Sequence, residues 1–193
     1  MSYKTYITEA LVCGSVNNNT SDKSYLLFSK EAGMLWATAK SVREERSKQR
    51  CALQDFSNIR VSLIKGKSGW RIGSVEALGN PFMHADSRAK RGTINFVVSQ
   101  LRRYVHGEIQ LPKVYADAFA LLSYEEIHSE QNILIRELFL VRLLSELGYV
   151  APTSSWAPVI DASTIDDALL LYQSDMAASI TKAIKEGTEA SHL

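Results

Sequence analysis

The chain has 193 residues, an apolar fraction of 46%, a charged fraction of 22% and a net charge of +1. These values are ordinary for a soluble globular protein of one domain or two small ones. No apolar run approaches the roughly 20 residues that a membrane helix needs, and the N-terminus lacks the apolar segment of a secretory signal. Cys13 and Cys51 lie far apart, which is typical of free thiols in a reducing compartment. We therefore expect a cytoplasmic protein.

The charge is distributed unevenly along the chain. Residues 1–92 carry 15 Lys and Arg against 8 Asp and Glu, whereas residues 93–193 carry 7 against 13. A basic first half and an acidic second half indicate two surfaces with different partners. Chance clustering of solvated charges is the alternative.

The first half of the chain reads as short strands with turn residues between them. The predicted strands are Tyr3–Cys13, Ser24–Ser29, Met34–Ala39, Asn58–Lys65 and Trp70–Leu78. Strict alternation in the fourth strand, followed by Gly66-Lys67-Ser68-Gly69, predicts a hairpin with the fifth. Five short strands fit a small barrel such as an OB-fold, although the pattern alone does not choose among five-stranded barrels.

After a polar, basic junction the apolar period changes to three and four residues, which predicts helices. The predicted helices are Thr93–Val105, Lys113–Leu122, Gln131–Leu147 and one long helix from about Thr164 to Lys185, with 151–163 irregular. The expected fold class is therefore α+β. We expect a barrel over residues 1–80, a basic linker over 81–92 and an α-helical domain over 93–193.

The segment from Lys40 to Arg50 is the densest basic cluster. It holds five cations against Glu44 and Glu45, between two strands, where mobile charges can meet a phosphate backbone. Trp36 shares strand parity with Lys40 and is expected to face the same side, although a barrel core is the commoner place for tryptophan. The predicted nucleic-acid-binding residues are Lys40, Arg43, Arg46, Lys48, Arg50, Arg60, Lys65, Lys67, Arg71 and Trp36.

The same segment resembles the bacterial RecO family of recombination mediators. The family pattern is an E-x-G pair, an A-K-G-x-R run, a basic loop and L-Q-P-F, and it is matched by Glu31, Gly33, Ala39, Lys40, Arg43, Arg46, Ser47, Leu53, Gln54 and Phe56. Ser41 stands where the family favours glycine, and Asp55 where it favours proline. A weaker match is Leu147-Gly148-Tyr149, which resembles the end of a family helix.

The resemblance implies an OB-fold followed by a helical bundle. It also implies a nucleoid-associated protein that binds single- and double-stranded DNA without sequence specificity, anneals strands and loads a recombinase. The implied partners are the acidic C-terminal tail of single-stranded-DNA-binding protein and RecR. Candidate residues for that tail are Arg102, Arg103, Arg136 and Arg142, because guanidinium groups bind carboxylates bidentately. Intramolecular pairing with acids of neighbouring helices is the alternative.

No motif in the sequence indicates catalysis or a cofactor. Many RecO proteins carry a four-cysteine zinc module, but Ala151–Ile160 contains neither cysteine nor histidine, so we expect no metal. There is no G-x-S-x-G, P-loop or H-E-x-x-H, and we expect a protein that is not an enzyme. Two other functions stay open: an OB-like module whose basic face binds an acidic protein, and an RNA-binding barrel.

Overall fold

The computed structural model describes residues 5–125 and 129–192. In this part of the chain five strands form a closed barrel, in the order β1-β2-β3-β5-β4, and helices follow it along the chain. The strands are β1 (Thr5–Asn17), β2 (Lys23–Ser29), β3 (Gly33–Ala39), β4 (Asn58–Gly66) and β5 (Gly69–Gly79). The α+β class is confirmed, with a barrel before the helices. Tyr3 and Lys4, at the predicted start of the first strand, lie outside the described residues.

The barrel closes through pairings that the sequence indicated only in part. β4 and β5 form the predicted antiparallel hairpin, and β3 pairs with β5 in parallel at Ala37 and Thr38. β1 runs past the predicted end at Cys13, because its register shifts between Val12 and Gly14 and pairing with β2 continues. Alternate residues point into the barrel and form its core, among them Val12, Leu27, Leu35, Ile59, Val61 and Leu63.

The helical part centres on one helix that packs against most of the others. The helices are α1 (Gln49–Ala52), between β3 and β4, and then α2 (Arg88–Tyr104), α3 (Pro112–Ser123), α4 (Ser129–Glu146), α5 (Ala157–Asp161), α6 (Ile165–Leu171) and α7 (Ala177–Ala190). α4 contacts α2, α3, α5, α6 and α7. Its Leu138, Val141 and Leu144 are fully buried, as the three- and four-residue spacing predicted.

Three helix boundaries differ from the prediction. α2 begins inside the expected linker, because the Ser87 hydroxyl accepts a hydrogen bond from the Lys90 N–H at 3.1 Å and caps the first turn. The stretch 151–163 contains α5, with Pro158 in its first turn, where a missing N–H costs nothing. The single long helix predicted from Thr164 is α6, a short 3₁₀ turn at Ser174–Met176 and α7.

The chain forms two compact units. One comprises Met1–Ala85 with Val105–Gln110, and the other comprises Asp86–Tyr104 with Leu111–Leu193. The segment Val105–Gln110 therefore returns to the barrel, where the Met34 N–H donates to the Gly107 carbonyl at 3.1 Å. Gly33 is required beside it, because its φ is 66° and an added Cβ would lie 2.1 Å from the Ile109 carbonyl oxygen.

Arg142, one of the predicted partner-binding residues, is engaged inside the helical unit. Its side chain is buried, with the residue 5% exposed, and its Nε donates to Asp117 Oδ2 at 2.7 Å. The remaining guanidinium donors reach Asp117 Oδ1 and the carbonyls of Val159, Ile160 and Ala162. Because its donors are used inside the helical unit, Arg142 follows the alternative of intramolecular pairing.

None of the helices in residues 5–125 and 129–192 has both the length and the apolar character that crossing a bilayer requires. Within that same part of the chain, no three or more His, Cys, Asp or Glu side chains come together in a way that could hold a metal ion. The expectation that the protein binds no zinc stays a prediction.

Candidate nucleic-acid interface

An open cavity of about 550 Å³ lies on the barrel unit, beside the start of the basic segment. Strand, loop and turn residues from distant parts of that unit line it. They are Asn17, Lys23, Tyr25, Val42, Arg43, Arg50, Leu53, Gln54, Asp55, Phe56, Asn80, Phe82 and Met83. Its volume lies within the range of roughly 300–1,000 Å³ that is usual for ligand sites.

Three cations line the cavity. Lys23, at the start of β2, joins Arg43 and Arg50 from the basic segment, and both arginines are exposed. Asp55 adds a carboxylate to the lining, and cations still outnumber it. Cations that converge on a concave surface raise the local potential and attract phosphate groups.

The turn between β1 and β2 holds Arg43 in place. The Arg43 N–H donates to the Ser21 carbonyl at 3.0 Å, and its Nη1 donates to the Asn19 carbonyl at 2.7 Å. Asp22 in the same turn accepts the Ser41 N–H at 2.8 Å, and this bond is the main cause that lowers the pKa of Asp22. The asparagine-rich turn at residues 17–22 therefore orders the start of the basic segment.

Another part of the cavity lining is aromatic. The rings of Phe56 and Phe82 stack with centroids 4.6 Å apart and planes inclined by 16°. The Asn80 amide connects the turn that carries Phe82 to the residues on either side of Phe56. It donates to the Asp55 carbonyl at 3.0 Å and to Ser57 Oγ at 3.1 Å. The stacked rings add apolar surface to a largely polar cavity lining.

Phe56 has a backbone conformation that is rare for a bulky residue. Its φ is 68°, in the left-handed region, and its N–H donates to the Val12 carbonyl at 2.9 Å. Such a conformation costs on the order of 1–3 kcal/mol and occurs most often at functional sites. The backbone bond to β1 and the ring stack on Phe82 keep Phe56 directed at the cavity.

Tyr25 is a further aromatic residue of the cavity lining. Its side chain is almost fully buried, and the Lys23 ammonium lies 5.4 Å from the centre of its ring. Burial raises the pKa of Tyr25, and the Asp55 charge adds to this effect. The phenol is neutral at physiological pH, so Tyr25 adds no negative charge to the cavity lining.

A second, smaller groove of about 360 Å³ takes other predicted cations. Lys40, Arg46 and Arg71 line it, together with Glu44 and the first turn of α1 at Gln49. The basic segment thus divides its charges, with Arg43 and Arg50 at the larger cavity and Lys40 and Arg46 at the groove. Lys48, which lies between Arg46 and Arg50 in sequence, is exposed.

Two predicted cations are engaged in ion pairs on the outer surface of the barrel. Arg60 lies between Glu9 at 3.3 Å and Glu76 at 3.4 Å, in a ladder across β1, β4 and β5. Lys65 pairs with Glu108 at 3.0 Å. These exposed pairs are worth little to stability, but they partly neutralise both cations toward a phosphate.

The remaining predicted residues of this surface are exposed. Lys67 lies in the turn between β4 and β5. Trp36 is 49% exposed and points away from the barrel core, to which its neighbours Leu35 and Ala37 belong. Trp36 therefore lies outside the core, and its side chain is accessible to a ligand.

Sequence reasoning missed several residues of the cavity: Lys23, Asn80, Phe82 and Met83. Phe56 was noted as part of a motif and not as a contact. A usable signal was the turn Asn80-Pro81-Phe82, where a phenylalanine and a methionine follow a strand without a helical or strand period. Their pairing with Phe56 required the barrel to bring residues 56 and 82 together.

Ser41, which stands where the RecO family favours glycine, adopts a left-handed backbone conformation. Its φ is 52°, which disfavours any residue with a Cβ. We expect Ser41→Gly to raise the free energy of unfolding by up to about 1 kcal/mol, because the strain is removed while the N–H to Asp22 is kept. Urea denaturation followed by circular dichroism measures this.

Ser99→Gly, in the exposed interior of α2, is the matched control and should lower stability by about 0.5–1 kcal/mol. If Ser41→Gly destabilises the protein as much as this control does, the left-handed conformation of Ser41 is not strained.

Comparison with known proteins finds a similarity to a DNA repair protein. No protein-family model matches the chain. The chain is similar to the DNA repair protein RecO. In Desulfitobacterium hafniense strains DSM 10664 / DCB-2 and Y51, that protein is 43% identical to this chain over 63 residues. The aligned part is 33% of this chain and 23% of each relative, so the chain covers less than a quarter of their length. The similarity therefore extends over a limited part of the chain.

Proposed function

We propose that the barrel binds DNA through its phosphate backbone and that the protein is a non-enzymatic, RecO-like recombination mediator. The carrying observation is the cavity in which Lys23, Arg43 and Arg50 share a lining with the stacked Phe56 and Phe82. Cations for phosphates and aromatic rings for bases are the combination that barrels of this type use for nucleic acids. The partial similarity to RecO supports the same assignment.

The binding proposed here is independent of base sequence. The cavity's cations have long side chains, exposed for Arg43 and Arg50 and partly exposed for Lys23, which suit a repeating phosphate backbone more than base edges. Lys40, Arg46 and Arg71 would extend the positive track into the second groove, with Lys48 between the two. Single and double strands would then both bind, and strand annealing would require positioning without covalent chemistry.

A basic surface alone does not separate phosphates from the carboxylates of an acidic protein. The stacked Phe56 and Phe82 favour nucleic acid, because bases stack on aromatic rings whereas carboxylates bind to the cations alone. RNA also offers phosphates and stackable bases, so it is one of the probes in the binding titration described below.

The helical unit is proposed to recruit protein partners. Arg102 and Arg103 are exposed in the last turn of α2, and they are candidates for the acidic tail of single-stranded-DNA-binding protein. Arg136 is partly buried, its Nε donates to Thr93 Oγ1 at 3.3 Å, and its guanidinium lies 5.6 Å from the Phe96 ring. RecR is the second proposed partner, by resemblance alone.

We expect DNA affinity to fall steeply as salt is raised. If four to six phosphates are neutralised, the slope of log K against log salt should be about −3 to −5. Fluorescence anisotropy with labelled single-stranded DNA, duplex DNA and RNA measures the slope for each. A flat response, or no binding at low salt to any of the three, would favour the protein-interaction alternative.

A further inference from the structure

The stacked phenylalanine pair suggests which form of nucleic acid the cavity accepts. Phe56 and Phe82 are half-buried, and both line the cavity beside Met83, which is 74% exposed. In a pair of rings 4.6 Å apart and inclined by 16°, each ring uses one face on the other, and an outer face is a planar surface on which a further ring can stack. A pair needed only for packing would more simply be covered by the barrel's own side chains.

The turn that carries Phe82 is held before any ligand arrives. Asn80 uses its amide nitrogen on the Asp55 carbonyl and on Ser57, and its oxygen accepts the Met83 N–H at 3.0 Å. Phe56 is fixed separately by its backbone bond to Val12. The ring surface is therefore preorganised, and little conformational entropy is lost when a ligand binds it.

The charged and the aromatic residues of the cavity suit different parts of a nucleotide. Arg43 and Arg50 attract a phosphate, whereas the Asp55 carboxylate, adjacent in sequence to Phe56, repels one. A nucleotide in this cavity would therefore place its phosphate toward the arginines and its base toward the rings. The bases of a duplex are already paired and stacked, so their faces cannot reach a protein ring.

We propose that this cavity is a subsite for an unpaired nucleotide, with the base stacked on the Phe56–Phe82 pair and the phosphate held by Arg43 and Arg50. This inference rests on the proposed nucleic-acid binding and adds a preference for single strands at this position. A volume of about 550 Å³ is of the size that holds one small ligand, which agrees with one or two nucleotides per cavity.

The test compares Phe82→Ala and Phe82→Tyr with the parent by anisotropy titration. The probes are labelled oligothymidine, the same strand with abasic sites, and a duplex of equal length. Phe82→Ala should weaken binding to oligothymidine by about 5- to 100-fold, the usual effect of losing one base–aromatic stack, and spare the duplex. Phe82→Tyr should retain the affinity, and the salt slope of Phe82→Ala should match the parent's, because no cation is lost.

The abasic strand needs no variant and decides the matter even if Phe82→Ala does not fold. The parent should bind it about as weakly as Phe82→Ala binds the intact strand. Equal affinity of the parent for intact and abasic strands, or of folded Phe82→Ala and the parent for oligothymidine, would overturn the inference. Failure of the parent to bind any of the three probes would instead remove the proposed function.

Discussion

Arg43→Glu together with Arg50→Glu is expected to lower DNA affinity by at least about 100-fold, since each lost contact to a charged group is worth roughly 1.5–3 kcal/mol. Both side chains line the larger cavity and lie in an exposed connection. The fold should survive, because exposed charges contribute little to stability. The slope of log K against log salt should also become shallower, because fewer counterions are released.

The matched control is Arg102→Glu with Lys185→Glu, which makes the same change in net charge on exposed residues of the helical unit. This control should change DNA affinity by no more than a few-fold. A second comparison is Lys40→Glu with Arg46→Glu, which tests whether the second groove extends the contact. If the Arg43 and Arg50 variant binds as well as the parent while the helical control loses binding, the DNA surface does not lie on the barrel.

Arg142→Ala is expected to cost the helical unit about 3–5 kcal/mol of unfolding free energy, the usual effect of breaking a buried ion pair. The substitution leaves Asp117 buried without its ion-pair partner, and the carbonyls of Val159 and Ala162 lose the Arg142 donor, whereas Ile160 still accepts from Lys113 Nζ at 3.0 Å. Native stability is commonly about 5–15 kcal/mol, so the loss is a large part of the total. Urea denaturation monitored by circular dichroism measures it.

Lys182→Ala serves as the control for this prediction, because Lys182 forms an exposed pair with Glu186 at 3.7 Å one turn along α7. Its loss should cost about 0.5 kcal/mol or less. A cost for Arg142→Ala that is no greater than that of Lys182→Ala would mean that the Arg142–Asp117 pair does not support the core.

The sequence predicted the elements with strong periodicity and missed those that depend on local capping. Alternation over 58–65 and the glycine turn identified the β4–β5 hairpin. Spacings of three and four residues identified the buried face of α4. The start of α2 depended on one hydroxyl, that of Ser87, and the break after α6 had no glycine or proline to mark it.

Burial of Arg142 was within reach of the sequence. It follows the apolar residue Leu138 by four residues, so the helical period places both on the same face of α4, and Leu138 is fully buried. Trp36 is the opposite case, because its type favoured the core whereas its strand parity opposed that of the core residues Leu35 and Ala37.

The sequence by itself determined the α+β class, the barrel before the helices and the concentration of cations between β3 and β4. These follow from the period of apolar residues and from local composition, which a linear chain displays directly. Only the tertiary structure decided which cations share a cavity, and that Phe56 and Phe82 stack beside them. Such neighbours come from different strands and turns, and closure of the barrel, set by long-range strand pairing, brings them together.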